Sequence, residues 1–243
     1  MKIGKPNIIA CPACSAGHTQ MCLMSGNMFD TTYFSDGNYI ASMMPQISPY
    51  TRCSKCDVFY KITDDNTSSG DNRSWEELDK IPNVEDLSVK GMVLAINEGL
   101  YNGTDEDAAI LRTMLWREMN IKRKYHSKEE NNEEKIYTEN CRELLSAIQE
   151  DGDTKLLTKA ELYRNLGEFD ECRELLVRIT TPEKHTQYIT AIKKACDRRD
   201  IFTLRIGEDE EDEQRLIELA EAGDKNAIAE LRDMYDNNEE SGW

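Results

Sequence analysis

Two cysteine pairs constrain this sequence more than any other feature. Cys11 with Cys14 and Cys53 with Cys56 both have the C-x2-C spacing. A C-x2-C turn directs two thiolates into one small volume, and two such turns complete the tetrahedral four-sulfur shell that Zn²⁺ prefers. Because four thiolates leave no coordination position for water, such a site is structural rather than catalytic. The sequence therefore predicts a structural zinc site formed by Cys11, Cys14, Cys53 and Cys56.

Other uses of these cysteines remain open. Residues 1–10 lack the apolar stretch of a secretory signal, so we expect a cytoplasmic protein in which paired thiols bind metal rather than form disulfides. The same four ligands hold iron in rubredoxin-like sites, which makes iron the less favoured alternative. His18 and Cys22 continue the first pair in C-x3-H-x3-C spacing. They are either substitute ligands or a hydrogen-bonded histidine and a small buried thiol.

The segments around the cysteines have the composition of short strands. Residues 29–34 and 39–43 are β-branched or aromatic and flank a turn containing Gly37, which predicts a hairpin. Residues 57–62 alternate and predict a third strand of the same small antiparallel sheet. A region of about 60 residues buries too little surface to be stable alone, and zinc affinity of about 10–16 kcal/mol supplies the deficit. With its two cysteine pairs, this region resembles a zinc ribbon.

Composition divides the chain into successive segments. Residues 63–74 contain no apolar side chain, and they are predicted to be a linker. The predicted order is a zinc-ribbon-like domain at 1–62, a polar linker at 63–74, a helical domain at 75–206, an acidic linker at 207–213 and an acidic helix pair at 214–243. The predicted fold class is α+β, mostly α.

The C-terminal part has the signals of successive helices. Thr104 is predicted to cap a helix that runs towards Tyr125, and residues 137–148 carry one apolar stripe. Two further helices, 156–166 and 169–180, flank Gly167, and the next is predicted to begin at Thr181-Pro182.

Two segments resemble helical repeats. Residues 156–179 resemble a tetratricopeptide repeat, a helix-turn-helix unit, and the matching positions are Ala160, Gly167, Phe169, Cys172, Leu176 and Ile179. Residues 219–235 are similar to a Sel1-like repeat. A zinc ribbon followed by irregular repeats of this kind resembles a group of bacterial cytoplasmic proteins described by domain content. The resemblance implies architecture and location, and it does not imply a reaction.

Charge argues against nucleic acid and membranes as partners. The formal net charge is −17, and residues 207–243 hold 14 acidic and 3 basic residues, including six consecutive acids at 208–213. Residues 1–62 hold five basic and three acidic residues, without the basic face that phosphate contacts require. No stretch approaches the roughly 18–20 apolar residues that span a bilayer. Nucleic-acid binding through the ribbon is the second, less favoured function, with the acidic end as a competitor.

The remaining chemistry-bearing residues favour a protein that is not an enzyme. The sequence lacks the common nucleotide-binding, metalloprotease and serine-hydrolase motifs. Cys141, Cys172 and Cys196 lie on apolar helical stripes and are predicted core residues, whereas His126 and His185 are predicted to lie at the surface. We expect an interaction scaffold whose helices bind a protein partner.

Overall fold

A computed structural model describes residues 1–99, 105–125 and 131–207. These residues form short antiparallel strands in the N-terminal part and helices after them, which confirms the α+β, mostly α fold class. The chain divides into two compact units. The first comprises Met1–Phe29 and Met43–Glu118, and the second comprises Asp30–Ser42 and the chain from Met119 onwards.

The strands and helices have the following bounds. The strands are β1 (Lys2–Ile3), β2 (Asn7–Ala10), β3 (Gly17–Gln20), β4 (Leu23–Ser25), β5 (Thr32–Phe34), β6 (Tyr39–Ile40), β7 (Tyr50–Arg52), β8 (Phe59–Lys61), β9 (Thr67–Ser69) and β10 (Arg205–Ile206). The helices are α1 (Trp75–Leu78), α2 (Val89–Asn97), α3 (Asp105–Tyr125), α4 (Asn131–Ala147), α5 (Asp153–Asn165), α6 (Phe169–Val177) and α7 (Thr186–Arg198). Among the helices in the described ranges, none is both long and apolar enough to cross a membrane.

Two β-hairpins dominate the first unit. Strand β2 pairs antiparallel with β3 and, on its other side, with β9. Strands β7 and β8 form a separate two-stranded hairpin, and β1 pairs with β4. The first turn of α3 is joined to the β7–β8 hairpin, because Asp107 accepts hydrogen bonds from the Tyr50 hydroxyl (3.2 Å) and from the Lys61 ammonium.

The predicted hairpin at 29–43 forms, but its third strand differs from the prediction. Strands β5 and β6 pair antiparallel, and Gly37 in their turn has a φ of 74°. The predicted third strand, β8, pairs with β7 instead, since the Cys53–Cys56 turn joins these two strands directly. The third strand of the β5–β6 sheet is β10, from the far end of the described chain. The hairpin accordingly belongs to the second unit.

Residues 63–74, predicted as a polar linker, have regular structure. A 3₁₀ turn at Asp64–Asn66 leads into β9, which pairs with β2 from residue 67 to 69. Ser74 then caps α1, accepting a hydrogen bond from the Glu77 N–H at 3.3 Å. Most of its polar side chains face solvent, while the backbone of residues 67–69 forms hydrogen bonds with β2.

The helices agree with the predicted order. The pair α5 and α6 flanks Gly167, which has a φ of 79° and ends α5. Residues 182–185, predicted as the start of the sixth helix, form a 3₁₀ turn that precedes α7. The predicted cap Thr104, the predicted surface His126 and the predicted segment 214–243 lie outside the described residues, as do residues 208–213 of the acidic linker.

One hydrophobic cluster of the second unit lies between α5, α6 and α7. Its members are apolar and buried: Leu156, Leu157, Ala160, Phe169, Cys172, Leu175, Leu176, Ile179, Ile189, Ile192 and Cys196. Ala160 and Cys172, the small positions of the repeat resemblance, are both completely buried. Small side chains at these points allow the helices to approach closely.

A buried ion pair links α5 to two other segments of the second unit. The guanidinium of Arg164 donates to the Glu161 carboxylate (Nε to Oε2, 2.8 Å), and neither side chain is exposed. Arg164 also donates to the backbone carbonyls of Asp200 (2.6 Å) and Phe202 (2.7 Å). The Ser35 hydroxyl donates to Glu161 at 2.5 Å. These bonds hold the residues before β10 and the turn of the β5–β6 hairpin against α5.

Candidate metal centre

The first cysteine pair lies in the turn between β2 and β3. The Cys11 N–H donates to the Ala16 carbonyl (2.8 Å), and the Ser15 N–H donates to the Cys11 carbonyl (2.8 Å). Ser15 has a φ of 57°, the left-handed conformation that reverses the chain. This tight turn directs the side chains of Cys11 and Cys14 to the same side of the hairpin.

The second pair repeats this arrangement between β7 and β8. The Cys53 N–H donates to the Val58 carbonyl (3.0 Å), and the Asp57 N–H donates to the Cys53 carbonyl (2.9 Å). Asp57, like Ser15, is left-handed, with a φ of 62°. In addition, the Lys55 N–H lies 3.4 Å from the Cys53 sulfur and donates to it. The two turns therefore have the same backbone hydrogen bonds. In each turn the N–H of the first cysteine donates to the carbonyl five residues later, and its own carbonyl accepts from the N–H four residues later.

The four sulfur atoms meet between the hairpins. Cys11 Sγ lies 3.7 Å from Cys56 Sγ, and Cys14 Sγ lies 3.7 Å from Cys53 Sγ. All four lie within 4.8 Å of one another. A tetrahedral site with metal–sulfur bonds of about 2.3 Å has sulfur–sulfur edges of about 3.8 Å. The group fits a four-coordinate metal ion, and the two 3.7 Å separations match the edges of such a site rather than a disulfide bond of about 2.05 Å.

The group is set against a small apolar cluster. Cys11 and Cys53 are buried together with Ile9 and Tyr60, whereas Cys14 and Cys56 are half-buried. Burial excludes water from one side of the group and limits exchange of a bound ion. The arrangement is typical of a site that closes around its metal.

The thiols differ in their tendency to ionise. Burial opposes ionisation of Cys53, but the N–H groups of Lys55 and Cys56 and the neighbouring sulfurs outweigh it and lower its pKa to about 7. The N–H of Val58 favours the Cys56 thiolate, yet burial and the sulfurs of Cys14 and Cys53 raise its pKa to about 12. Four thiolates this close repel one another, and a bound dication removes that repulsion.

His18 lies beside the group without joining it. Its Nε2 is 3.0 Å from the Ser54 hydroxyl and 3.4 Å from the Ser54 N–H, which donates to it. Its Nδ1 is 3.5 Å from the Tyr60 hydroxyl, and the imidazole is 1% exposed. His18 thus bridges the second cysteine turn and β8. Neither His18 nor Cys22 is in the group of four sulfurs, so the hydrogen-bonded reading of His18 agrees with the structure.

Sequence reasoning identified the four cysteines but not the residues that support them. Ser54 lies between Cys53 and Cys56 and had no recognisable signal, since its contact with His18 joins residues 36 apart. The burial of Ile9 and Tyr60 beside the sulfurs follows from hairpin packing. Alternation in residues 57–62 was the available signal for Tyr60, whereas β2, with the sequence Asn7-Ile8-Ile9-Ala10, does not alternate.

The other predicted positions are distributed over the helices. Cys141, Cys172 and Cys196 are buried, which confirms them as core residues. His185 lies in the 3₁₀ turn before α7 and is partly exposed. Within the described ranges, no other group of histidine, cysteine and acidic side chains has the geometry of a metal site.

Comparisons with protein-family models, with curated proteins and with solved structures gave no match.

Proposed function

We propose that this protein is a structural zinc-binding helical-repeat scaffold that mediates protein–protein interaction and has no catalytic activity. The observation that carries the proposal is the closed group of Cys11, Cys14, Cys53 and Cys56 sulfurs. Four thiolates saturate a tetrahedral ion, so a bound zinc cross-links the two hairpins and offers no position to a substrate. The metal's role is therefore to stabilise a region with a small core.

The choice of zinc over iron rests on the resemblance to a zinc ribbon, because the four ligands suit either ion. A four-cysteine site holds either ion, and iron would make the centre a rubredoxin-like electron carrier. We favour zinc because the cysteine turns resemble those of a zinc ribbon. A purified protein that is red, with visible sulfur-to-iron absorbance, would replace the scaffold by the redox alternative.

The proposed partner is a protein, bound by the helices. Support comes from the tetratricopeptide-like pair α5 and α6, whose small residues Ala160 and Cys172 are buried where such repeats need them. Repeats of this type present extended surfaces to other proteins. The net charge of −17 disfavours nucleic acid, and the proposed location is the cytoplasm.

Affinity capture combined with an activity screen tests the scaffold. Metal-loaded protein is used as bait in native lysate of its source, and Cys53→Ser bait serves as the matched variant. We expect recovery of a specific protein by both baits, with less by the variant if the ribbon contributes to binding. A parallel screen for hydrolase, transferase and oxidoreductase turnover should be negative.

Recovery of no specific protein, together with turnover that depends on intact chain, would overturn the scaffold proposal. Recovery of nucleic acid instead of protein would favour the alternative function. That binding should then fall steeply with salt, since phosphate contacts release counterions.

A further inference from the structure

A second pair of cysteines lies in the core of the helical unit. Cys172 on α6 and Cys196 on α7 have their sulfurs 3.4 Å apart, within hydrogen-bond distance. Both thiols are free, and their exposed fractions are 0% and 1%. They are 24 residues apart in sequence and far from any C-x2-C motif. Sequence periodicity assigned each of them to the core separately, and nothing in it paired them.

The surroundings of the two thiols are unequal. The hydrogen bond between the two sulfurs lowers the pKa of Cys196. The guanidinium groups of Arg164 and Arg173 also lower it, whereas burial opposes this change. The same hydrogen bond, burial and the charge of Cys196 raise the pKa of Cys172. Two cations near Cys196 therefore favour a thiolate there, while Cys172 retains its proton.

We propose that Cys172 and Cys196 are a redox modification site, a dithiol that hydrogen peroxide converts to a disulfide between α6 and α7. The site is separate from the four-cysteine group and does not depend on the metal. Cys196 is the attacking thiol and Cys172 the resolving thiol. A disulfide needs the sulfurs to approach from 3.4 Å to about 2.05 Å, so the two side chains must rotate towards each other.

The chemistry balances with peroxide as the oxidant. The Cys196 thiolate attacks one peroxide oxygen, the O–O bond breaks, and Cys196 becomes a sulfenic acid while hydroxide leaves and takes a proton from solvent. The Cys172 sulfur then attacks the Cys196 sulfur, the S–O bond breaks, and the hydroxyl leaves with the Cys172 proton as a second water. Two thiols lose two electrons, and peroxide is reduced to two waters.

The expected consequence is a stiffer helical unit. The disulfide closes a loop between residues 172 and 196 and so restricts the unfolded chain. Peroxide is small enough to reach the sulfurs during local opening of the helices. The two helices already pack on one core, so oxidation adds a covalent link without a new arrangement of contacts.

Peptide mapping of the full-length, metal-loaded protein tests the site. The protein is treated with hydrogen peroxide, alkylated under denaturing conditions and digested with trypsin without reductant. We expect peptides 165–173 and 195–198 to appear joined, with both thiols lost in equal amounts and restored by a dithiol reductant. Cys141 in peptide 136–142 is the matched control, since burial raises its pKa to about 12 and it should remain alkylatable.

Single variants separate the two roles. In Cys172→Ala, Cys196 should stop at the sulfenic acid, which a dimedone probe traps, whereas in Cys196→Ala, Cys172 should remain a free thiol. Should either variant fail to fold, the wild-type mapping still decides. Wild-type protein that keeps both thiols alkylatable after peroxide, or accumulates Cys196 sulfinic acid beside reduced Cys172, would overturn the proposal.

Discussion

Arg164 has an environment that is unusual for an arginine. It is fully buried and makes hydrogen bonds to Glu161 and to two backbone carbonyls. Removing one partner of a buried ion pair leaves an uncompensated charge, which costs about 3–5 kcal/mol. We therefore expect Arg164→Leu to lower the unfolding free energy by about that amount. Urea denaturation followed by circular dichroism measures it.

An exposed ion pair of the same unit is the control for Arg164. Arg142 is half exposed and pairs with Glu168, so Arg142→Ala should cost about 1 kcal/mol or less. Equal losses in the two variants would contradict the structural account of the buried pair.

His18 is hydrogen-bonded to Ser54 in the second cysteine turn and is not one of the four clustered sulfur donors. We expect it to orient that turn rather than to act as a ligand. Groups that orient ligands in this way typically contribute about 10–100-fold to metal affinity. His18→Ala should therefore bind one metal ion per chain with about tenfold or greater loss of affinity. His18→Gln, which keeps a hydrogen-bonding side chain, should recover part of it. Competition with a chromophoric chelator measures both, and complete loss of the metal in His18→Ala would identify a ligand instead.

At the scale of single residues, the sequence predicted those positions that a local spacing motif identifies. The four cysteines were predictable because C-x2-C turns form locally. The burial of Glu161 and Arg164 was not, since it depends on Ser35 and on residues 200–202, which are distant in sequence.

Among the elements, one carboxylate joins the beginning of α5 to the segment that follows α6. Asp153 at the start of α5 accepts the N–H groups of Thr180 and Thr181, each at 2.8 Å, and both hydroxyls. Hydrogen bonds from the Thr181 hydroxyl and the Thr180 N–H contribute most to keeping the pKa of Asp153 well below its ordinary value. The carboxylate therefore joins the segment after α6 to the beginning of α5.

This carboxylate makes the stability of the helix pair depend on pH. The pKa of Asp153 is lower in the folded protein than in the unfolded chain. The carboxylate therefore stabilises the folded protein at pH values above its unfolded pKa of about 4, and this stabilisation is lost as the pH falls through its folded pKa. Asp153→Asn should lower Tm at pH 7, and the difference from wild type should shrink below pH of about 4. Thermal melts across pH 2–7 measure it.

Asp170, an exposed carboxylate of α6, is the matched control for Asp153. Asp170→Asn should leave Tm nearly unchanged at every pH. A Tm difference for Asp153→Asn that stays constant down to the lowest pH would show that the lost interaction does not involve the charge.

Helices were more predictable than strands. The break between α5 and α6 at Gly167 was predicted from local signals, although α5 begins three residues before the predicted 156 and α6 ends three residues before the predicted 180. Strand β9 was missed because it lies in a segment without apolar residues. Residues 200–206 could be read as a helix end or a strand, and nothing local predicted that β10 pairs with β5 across most of the chain. Pairing of this kind is decided by distant partners and leaves little local pattern.

For the whole molecule, the chain passes from one compact unit to the other more than once. Residues 30–42 lie between the two cysteine pairs in sequence, yet they belong to the second unit. The spacing of the cysteines does not indicate that residues 30–42 belong to the second unit. A long spacer costs little loop-closure entropy, whether or not it contains part of another unit. The predicted domain boundaries therefore call for a direct test.

Fragments test where the metal-binding region ends. A fragment of residues 1–62 lacks β9, the edge partner of β2, whereas a fragment of residues 1–99 contains it. We expect the longer fragment to bind metal more tightly, as measured by chelator competition. Equal affinities would mean that residues 63–99 are dispensable and that the boundary at 62 holds.

Metal stoichiometry is the most direct measurement of the central claim. Elemental analysis of untagged wild-type protein, Cys53→Ser and Cys22→Ser compares a sulfur inside the group with one outside it. The account predicts one zinc per chain in wild type and in Cys22→Ser, and loss of zinc in Cys53→Ser. Wild-type protein without bound metal, or equal zinc content in Cys53→Ser, would contradict it.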